Sequence, residues 1–426
     1  MVKVKNHIKK SEYCLYSGIL LRGVINMNDI LPLKGLKVLE LGNLVAAPFA
    51  GKIFSEFGAE VIKVEEPKKG DPLRNWRVLH DDTSVWWYSQ SRNKKSITVN
   101  MRSTEGQKII KQLVENIDIV IENFKPGTME KWGLGYEDLK YINPNIILTR
   151  ISGYGQTGPY KDKPGFGSVA ESIGGLRYIT GYPDRPPVRV GIALGDMIAG
   201  LYAVIGTMFS LWSQEKKNTS EGQEVDVALY ESVFSLLEGT LPEYDLAGIE
   251  RKRTGSVLPG VSPSNTYKCG DGEHIVIGGN GDKIFQRLMK AIGRSDIGDS
   301  NDYATNQLRS QNAEYIDSII EEWTKKHTLK EAQDILDKAS VPVGPIYGIK
   351  DIVDDEQYNA RDMFQSIKIN DDEEIRIPGI VPKLSDTPGE TKWKGPKLGE
   401  HNEEVYKNLM NLSSDEINNL QERGVI

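Results

Sequence analysis

Between Leu36 and Leu229, short apolar runs alternate with segments of helical period, and few folds accept that alternation. Leu36-Lys-Val-Leu-Glu-Leu41 reads as a buried strand. Phe49, Ile53, Phe54 and Phe57 fall on one helical face, and Gly58 ends it. Glu60-Val-Ile-Lys-Val-Glu65 is a second strand. Strand, helix, strand with short links implies parallel pairing, because a parallel return needs a crossover. The pattern continues with strand Ser96 to Met101, helix Thr104 to Ile117, strand Asp118 to Glu122, helix Tyr136 to Ile142 and strand Asn145 to Ile151. Helices Phe166 to Tyr178 and Asp196 to Glu215 and the strand Gln223 to Leu229 complete it. The expected class is α/β, an open parallel sheet covered on both faces.

A helix is expected from Tyr230 to Ala247, and the charged, Gly- and Pro-bearing stretch Glu250 to Pro263 then marks a boundary. Ser264 to Gly279 reads as a hairpin around Gly270-Asp-Gly272, followed by helices at 282–293, 312–326 and 328–339: a smaller α+β domain. Val341-Pro-Val-Gly-Pro-Ile346 opens a second extended connection, Glu374 to Ile377 is strand-like, and Ser413 to Gly424 is a capped helix. The expected division is an N-terminal extension over 1–26 and a large domain over 27–229, completed by 380–426. A linker (230–260), a small domain (261–340) and a return linker (341–379) lie between.

A formal net charge of -7 argues against a general nucleic-acid binder. Cys14 and Cys269 make neither a disulfide framework nor a zinc spacing, which suits a reducing, cytoplasmic setting. No uninterrupted apolar run reaches the roughly 18 residues of a membrane span, so no membrane is expected. Residues 1–26 imitate a signal peptide only loosely and are read as an extension outside the main fold.

Gly153-Tyr-Gly155-Gln-Thr-Gly158 follows a strand and matches a dinucleotide fingerprint, but Pro159 and a charged loop follow where a helix should begin. The first strand-to-helix turn, Gly42 to Pro48, lacks the further glycines of a nicotinamide site. The five histidines show no metal spacing, so no metal ligand is expected, and no G-x-S-x-G occurs. Gly278-Gly279-Asn280-Gly281 is a flexible loop without the Lys-Ser/Thr of a P-loop; it is either a ligand-touching segment or a plain turn capped by Asn280 or Asp282. Lys68, Lys69, Arg74, Arg77, Arg92, Lys94, Lys95 and Arg102 crowd one part of an otherwise acidic chain, and Lys125 and Lys131 follow another strand. Such cations suit a phosphorylated ligand or form an ordinary solvated face. In Gly191 to Gly206, a small, apolar, helical stretch, Asp196 is the one acid at its start. It is either a first-turn residue favoured by free N–H groups or a nucleophile in a dry pocket.

Nine short stretches, in order across nearly the whole chain, together resemble the class III coenzyme A transferases, a group that includes formyl-CoA transferase, carnitine-CoA transferase and the α-methylacyl-CoA racemases. They are Leu36 to Leu41 with Ala47-Pro48; Gly58 to Glu65 with Gly70-Asp71; Arg92 to Ser96; Glu122 to Gly127; Gly153 to Pro159; Gly195-Asp196; Gly222 to Val227; Val343 to Pro345; and Leu398 to His401. The resemblance implies a Rossmann-like large domain and a small domain in a ring-shaped subunit, interlocked with a second copy as a homodimer. It makes Asp196 the catalytic carboxylate, with a coenzyme A thioester as substrate, a carboxylic acid as acceptor and no tightly bound cofactor. Coenzyme A would lie on Val45, Ala46, Val99, Met101, Arg102, Asn123, Phe124, Lys125 and Lys131. Charge alone adds Arg74, Arg92 and Lys94 to that set. The loop of Gly278, Gly279, Asn280 and Gly281 resembles a mobile substrate loop. Phe166 stands where the racemase branch has its histidine and cannot move a proton, and Val45 stands where formyl-CoA transferase has glutamine. A transferase acting on larger acids, often with succinyl-CoA as donor, is the favoured reading; a racemase or a non-catalytic coenzyme A binder is the alternative.

Overall fold

Six strands pair in parallel to form one sheet in the computed structural model, which describes residues 31–217 and 221–426. The N-terminal extension expected over 1–26 lies outside the described residues. The strands are β1 (Lys37–Glu40), β2 (Glu60–Glu65), β3 (Lys94–Thr98), β4 (Ile119–Glu122), β5 (Ile147–Ser152) and β6 (Glu224–Ala228). Their spatial order is β3-β2-β1-β4-β5-β6, a doubly wound arrangement. The chain therefore winds outward in one direction through β2 and β3, then returns to the middle and winds the other way from β4. β1 and β4 lie side by side in register Val38 to Ile119 and Glu40 to Ile121. At their carboxyl ends the connections leave in opposite directions and open a crevice, the general ligand position in such sheets.

The central strands are apolar on both sides because helices cover both sides. Val38, Leu39, Ile119, Val120 and Ile121 have no solvent exposure. Helix α1 (Ala46–Glu56) packs on one face and α2 (Thr104–Val114) on the other. α2 begins where Ser103 accepts a hydrogen bond from the Gly106 N–H and buries Ile109, Ile110, Leu113 and Val114 at helical spacing.

Two expected helices are interrupted. The segment 166–178 is α3 (Gly167–Ile173) and a short turn of helix, Leu176–Ile179, divided at Gly174-Gly175, where Gly175 takes φ 88°. The stretch 230–247, expected as one helix, divides into Leu229–Phe234 and Thr240–Ala247 around Gly239. In contrast, α4 (Leu194–Lys217) is unbroken for 24 residues. Its buried side is Gly195, Ile198, Ala199, Gly200, Ala203, Thr207 and Ser210, mostly small, so it lies close against α1 and β5. By length and apolarity α4 could cross a membrane, the one such helix among the described residues. Its packing against the sheet makes it a core element instead. Its opposite face leaves Leu201, Ile205, Phe209 and Trp212 exposed, an apolar stripe uncovered within one chain.

Residues 264–345 hold a separate core of Tyr267, Ile275, Ile277, Phe285, Leu288, Ile316, Ile320 and Leu336. It joins a three-stranded antiparallel sheet to helices Asp282–Ala291, Ala313–Thr324 and Leu329–Lys338. The segment after residue 389 returns to β3: His401 N–H donates to the Ser96 carbonyl at 2.9 Å, and Tyr406 Oη donates to the Thr98 carbonyl at 2.7 Å.

Arg309, without solvent exposure, ties the small core together. It donates to the carbonyls of Ser262, Tyr303, Ala304 and Asn280, and to Asp282 Oδ1 at 2.7 Å. Only a planar guanidinium can serve so many acceptors at once. Arg309→Lys is expected to lower stability by about 2–4 kcal/mol through unsatisfied buried carbonyls, read by urea denaturation; a change below about 0.5 kcal/mol would refute that role.

Candidate active site

The carboxyl end of β1 turns sharply through Gly42, Asn43 and Leu44 into α1. Side chains from elsewhere fix this turn. Asn123, just beyond β4, is bonded to both polar groups of Asn43: its Oδ1 accepts from the Asn43 N–H at 2.8 Å and its Nδ2 donates to the Asn43 carbonyl at 2.8 Å. The amide thus bridges β1 and β4 at the crevice. Asp71 accepts from the Leu44 N–H with both oxygens at 3.1 Å. Lys63 Nζ donates to the Gly42 carbonyl and pairs with Asp71 at 2.8 Å.

Asp196 lies in the first turn of α4. Gly200, one turn later on the same face, approaches the start of α1 so closely that a Cβ there would sit 2.9 Å from the Ala46 carbonyl. α4 thus meets the start of α1 at Ala46 one helical turn beyond Asp196. On its other side, Asp196 fills the space above Gly167, where an added Cβ would fall 2.1 Å from Asp196 Oδ2. Any side chain at 167 would displace the carboxylate.

The local electrostatics oppose a simple expectation. A helix start favours a carboxylate, yet burial, and then the neighbouring Glu171 carboxylate, push Asp196 up to about 6; Arg189 pulls in the opposite direction. Glu171 is almost wholly buried, accepts from the Gly195 N–H at 3.3 Å, and faces Arg177 at 3.2 Å and Arg189 at 3.7 Å. Glu171 thus occupies part of the helix start that Asp196 would otherwise use. A carboxylate raised to about 6 is mostly ionised at neutral pH, and it is more basic than an ordinary aspartate.

Among the other expected residues, the structure gathers some and separates others. Val45 and Ala46 are buried at the turn, Asn123 bridges to it, and Phe124 packs edge-on against Trp132 with centroids 5.2 Å apart. Lys125 and Lys131 are exposed just beyond β4. Val99 is buried after β3, Met101 is half-buried, and Arg102 is exposed with Glu66 at 3.8 Å. Arg74, Arg92 and Lys94, chosen on charge, must be withdrawn. Arg74 pairs with Glu65 at 2.7 Å and lies over the Trp87 ring, Arg92 pairs with Glu56 at 2.7 Å, and Lys94 pairs with Glu40 at 2.7 Å. All are buried, so their charge is spent inside the protein. The loop Gly278–Gly281 is held by small-domain partners: Gly279 N–H donates to the Pro263 carbonyl at 2.9 Å and Asn280 O accepts from Arg309 at 2.6 Å. Neither Asn280 nor Asp282 caps the following helix; Gly281 occupies the cap position and Asp282 pairs with Arg309.

Sequence spacing missed Gly167, Glu171, Arg189, Lys63 and Asp71. Lys63 and Asp71 stood in stretches that carry the family resemblance but had no role assigned, and Glu171 was an acid beside apolar Ala170; Gly167 and Arg189 gave no signal. The histidine reading also gains a contact: His80, Asp81 and Glu373 converge within 4.8 Å, with His80 Nε2 2.7 Å from Glu373 Oε2. They are exposed or half-exposed, and this is a surface contact between an imidazole and carboxylates.

The raised Asp196 carboxyl has a linked cost. A carboxyl whose folded pKa exceeds its unfolded value destabilises the fold above the folded pKa and not below the unfolded one. Asp196→Asn is therefore expected to stabilise the chain by on the order of 2 kcal/mol above about pH 7, the gain vanishing below about pH 4. Urea midpoints against pH measure this, and equal stability of both forms at all pH values would contradict it.

The profile of CoA-transferase family III matches residues 33–402. A succinyl-CoA–D-citramalate CoA-transferase of Chloroflexus aurantiacus is 46% identical over 396 residues, covering 93% of this chain and 98% of that protein. The human succinyl-CoA:glutarate CoA-transferase is 34% identical over 402 residues, covering 94% and 91%. The crystal structure of a CAIB/BAIF family protein from Brucella suis superposes with a TM-score of 0.78 at 33% identity, covering 89% of this chain and 99% of that one. A doubly wound sheet, a bridged crevice and these matches along nearly its whole length place the chain in CoA-transferase family III, as a CoA-transferase.

Proposed function

We propose that this transferase takes coenzyme A from succinyl-CoA and passes it to a dicarboxylic acid through intermediates on Asp196. The observation that carries the reading is that α4, one turn beyond Asp196, meets the start of α1 at Ala46, where the β1 turn enters the helix. The donor follows from the relatives, which are named for succinyl-CoA and for citramalate, malate or glutarate. Coenzyme A lies along the crevice, its phosphates toward the exposed Lys125, Lys131 and Arg102 and its chain past Val45, Ala46, Val99, Met101, Asn123 and Phe124. It is a substrate, and no tightly bound cofactor is required.

Ionised Asp196 attacks the thioester carbonyl, giving a mixed anhydride and coenzyme A thiolate. The thiolate attacks the Asp196 carbonyl carbon and expels succinate, leaving an aspartyl thioester. The acceptor carboxylate attacks that carbon and expels the thiolate, forming a second anhydride. The thiolate then attacks the acceptor acyl carbon and frees Asp196. Each step exchanges one carboxylate or thiolate for another, so one hard displacement becomes several easier ones. The small residues around Asp196, namely Gly167, Ala193 and Gly195, leave room for the acyl group and little for water. The Gly278–Gly281 loop serves as a cover, reached across the subunit boundary. Phe166, at the N-cap of α3 beside Gly167, offers no second acid or base, which disfavours the racemase reading.

The uncovered stripe of Leu201, Ile205, Phe209 and Trp212 supports the interlocked homodimer. Phe209→Glu is expected to yield monomer in light-scattering measurements, while dimer of unchanged mass would count against α4 as the contact.

Asp196→Ala is expected to abolish transfer while retaining coenzyme A binding, and wild-type peptides are expected to carry a coenzyme A adduct on Asp196 by mass spectrometry. Near-normal turnover of that variant would sink the assignment. For the first half-reaction, kcat/KM with succinyl-CoA should fall about tenfold per pH unit below about 6 and level off above about 7, since only the carboxylate attacks. Incorporation of solvent deuterium at the acyl α-carbon without acyl exchange would instead favour the racemase.

A further inference from the structure

The β1-to-α1 turn is strained. Leu44 takes φ 67°, the left-handed region that a branched aliphatic side chain rarely adopts. Such a conformation persists only where surrounding groups over-determine it. Here they do. The Leu44 N–H is held by both oxygens of Asp71 at 3.1 Å, and Asp71 also accepts from the Leu73 N–H at 2.8 Å. Asp71 is wholly buried and would be a costly charge without Lys63, its partner at 2.8 Å, which also grips the Gly42 carbonyl. The clamp thus fixes the residue before Val45 and the carbonyl two residues before Leu44. Neither Asp71 nor Lys63 can touch a ligand, because neither has any exposed surface.

We infer that Asp71, backed by Lys63, is a positioning residue for the coenzyme A site: it holds Leu44 left-handed so that the Val45-Ala46 backbone faces the crevice beside Asp196. The inference rests on the reading of that turn as part of the coenzyme A site. It assigns to a buried acid a role in substrate affinity that its distance from solvent conceals. The electrostatics agree. Burial opposes charge on both groups, but their mutual attraction outweighs it: Lys63 is raised, Asp71 is lowered, and both stay ionised.

The test uses the full chain with coenzyme A and succinyl-CoA as probes. Asp71→Asn is expected to raise the coenzyme A dissociation constant and the succinyl-CoA KM by about tenfold, with kcat and the acceptor KM changing little. Adding Leu44→Gly to that variant should recover most of the lost affinity, because glycine adopts the left-handed conformation without a clamp. A residue that served stability alone would show no such rescue. Leu44→Val leaves the buried charges intact, disfavours the left-handed conformation further and should also raise KM, so the idea stays testable if Asp71→Asn does not fold. Unchanged coenzyme A affinity in a folded Asp71→Asn protein, or no effect of Leu44→Val on KM, would overturn the inference. If the unsubstituted chain transfers acyl groups yet these variants behave as wild type, only the inference fails. If the unsubstituted chain binds no coenzyme A, the underlying reading fails and takes the inference with it.

Discussion

Lys63 is the charge on which the ligand end of the sheet depends. It comes from the middle of β2, has no exposed surface, and faces Glu40 of β1 at 3.3 Å and Asp71 at 2.8 Å. Glu40 in turn pairs with Lys94 of β3 at 2.7 Å. Alongside, Glu65 pairs with Arg74, and Glu56 pairs with Arg92. Four buried acids meet four buried bases across three adjacent strands and the segments that flank them. Such groups gain little net stability over an apolar core, but removal of one leaves its partner uncompensated. They set geometry: the strand ends, the β1 turn and the loop carrying Asp71 can take only one mutual arrangement.

That arrangement carries forward to the chemistry. The turn locates Val45 and Ala46, the close approach at Gly200 locates α4 against them, and α4 locates Asp196. Gly167 removes the side chain that would collide with the carboxylate, while Glu171 takes a share of the helix-start N–H groups. Asp196, the proposed nucleophile, therefore stands in a setting that raises its basicity while leaving it ionised at neutral pH.

The basic residues show where sequence reasoning about charge goes astray. Lysines and arginines near strand ends in an acidic chain look like phosphate ligands. Arg74, Arg92 and Lys94 instead point inward, because Glu65 of β2, Glu56 at the end of α1 and Glu40 of β1 become their partners only once the chain has folded. Lys125, Lys131 and Arg102 escape that fate because they lie beyond the strand ends, where solvent begins. A cation's role was decided by whether folding brought a buried acid to it.

The sequence by itself determined the parallel α/β class, most strand positions and the place of Asp196, because hydrophobic period, glycine stops and short ordered motifs are local properties. It misjudged the helices at 166–178 and 230–247, where glycines permitted breaks that packing then selected. Only the tertiary structure decided the strand order β3-β2-β1-β4-β5-β6, and with it the crevice between β1 and β4. It alone decided that Leu44 is strained, that Asp71 and Lys63 hold it there, and that burial and then Glu171 raise Asp196. Each of these depends on groups far apart in the chain, whose interaction exists only once burial has removed water from between them.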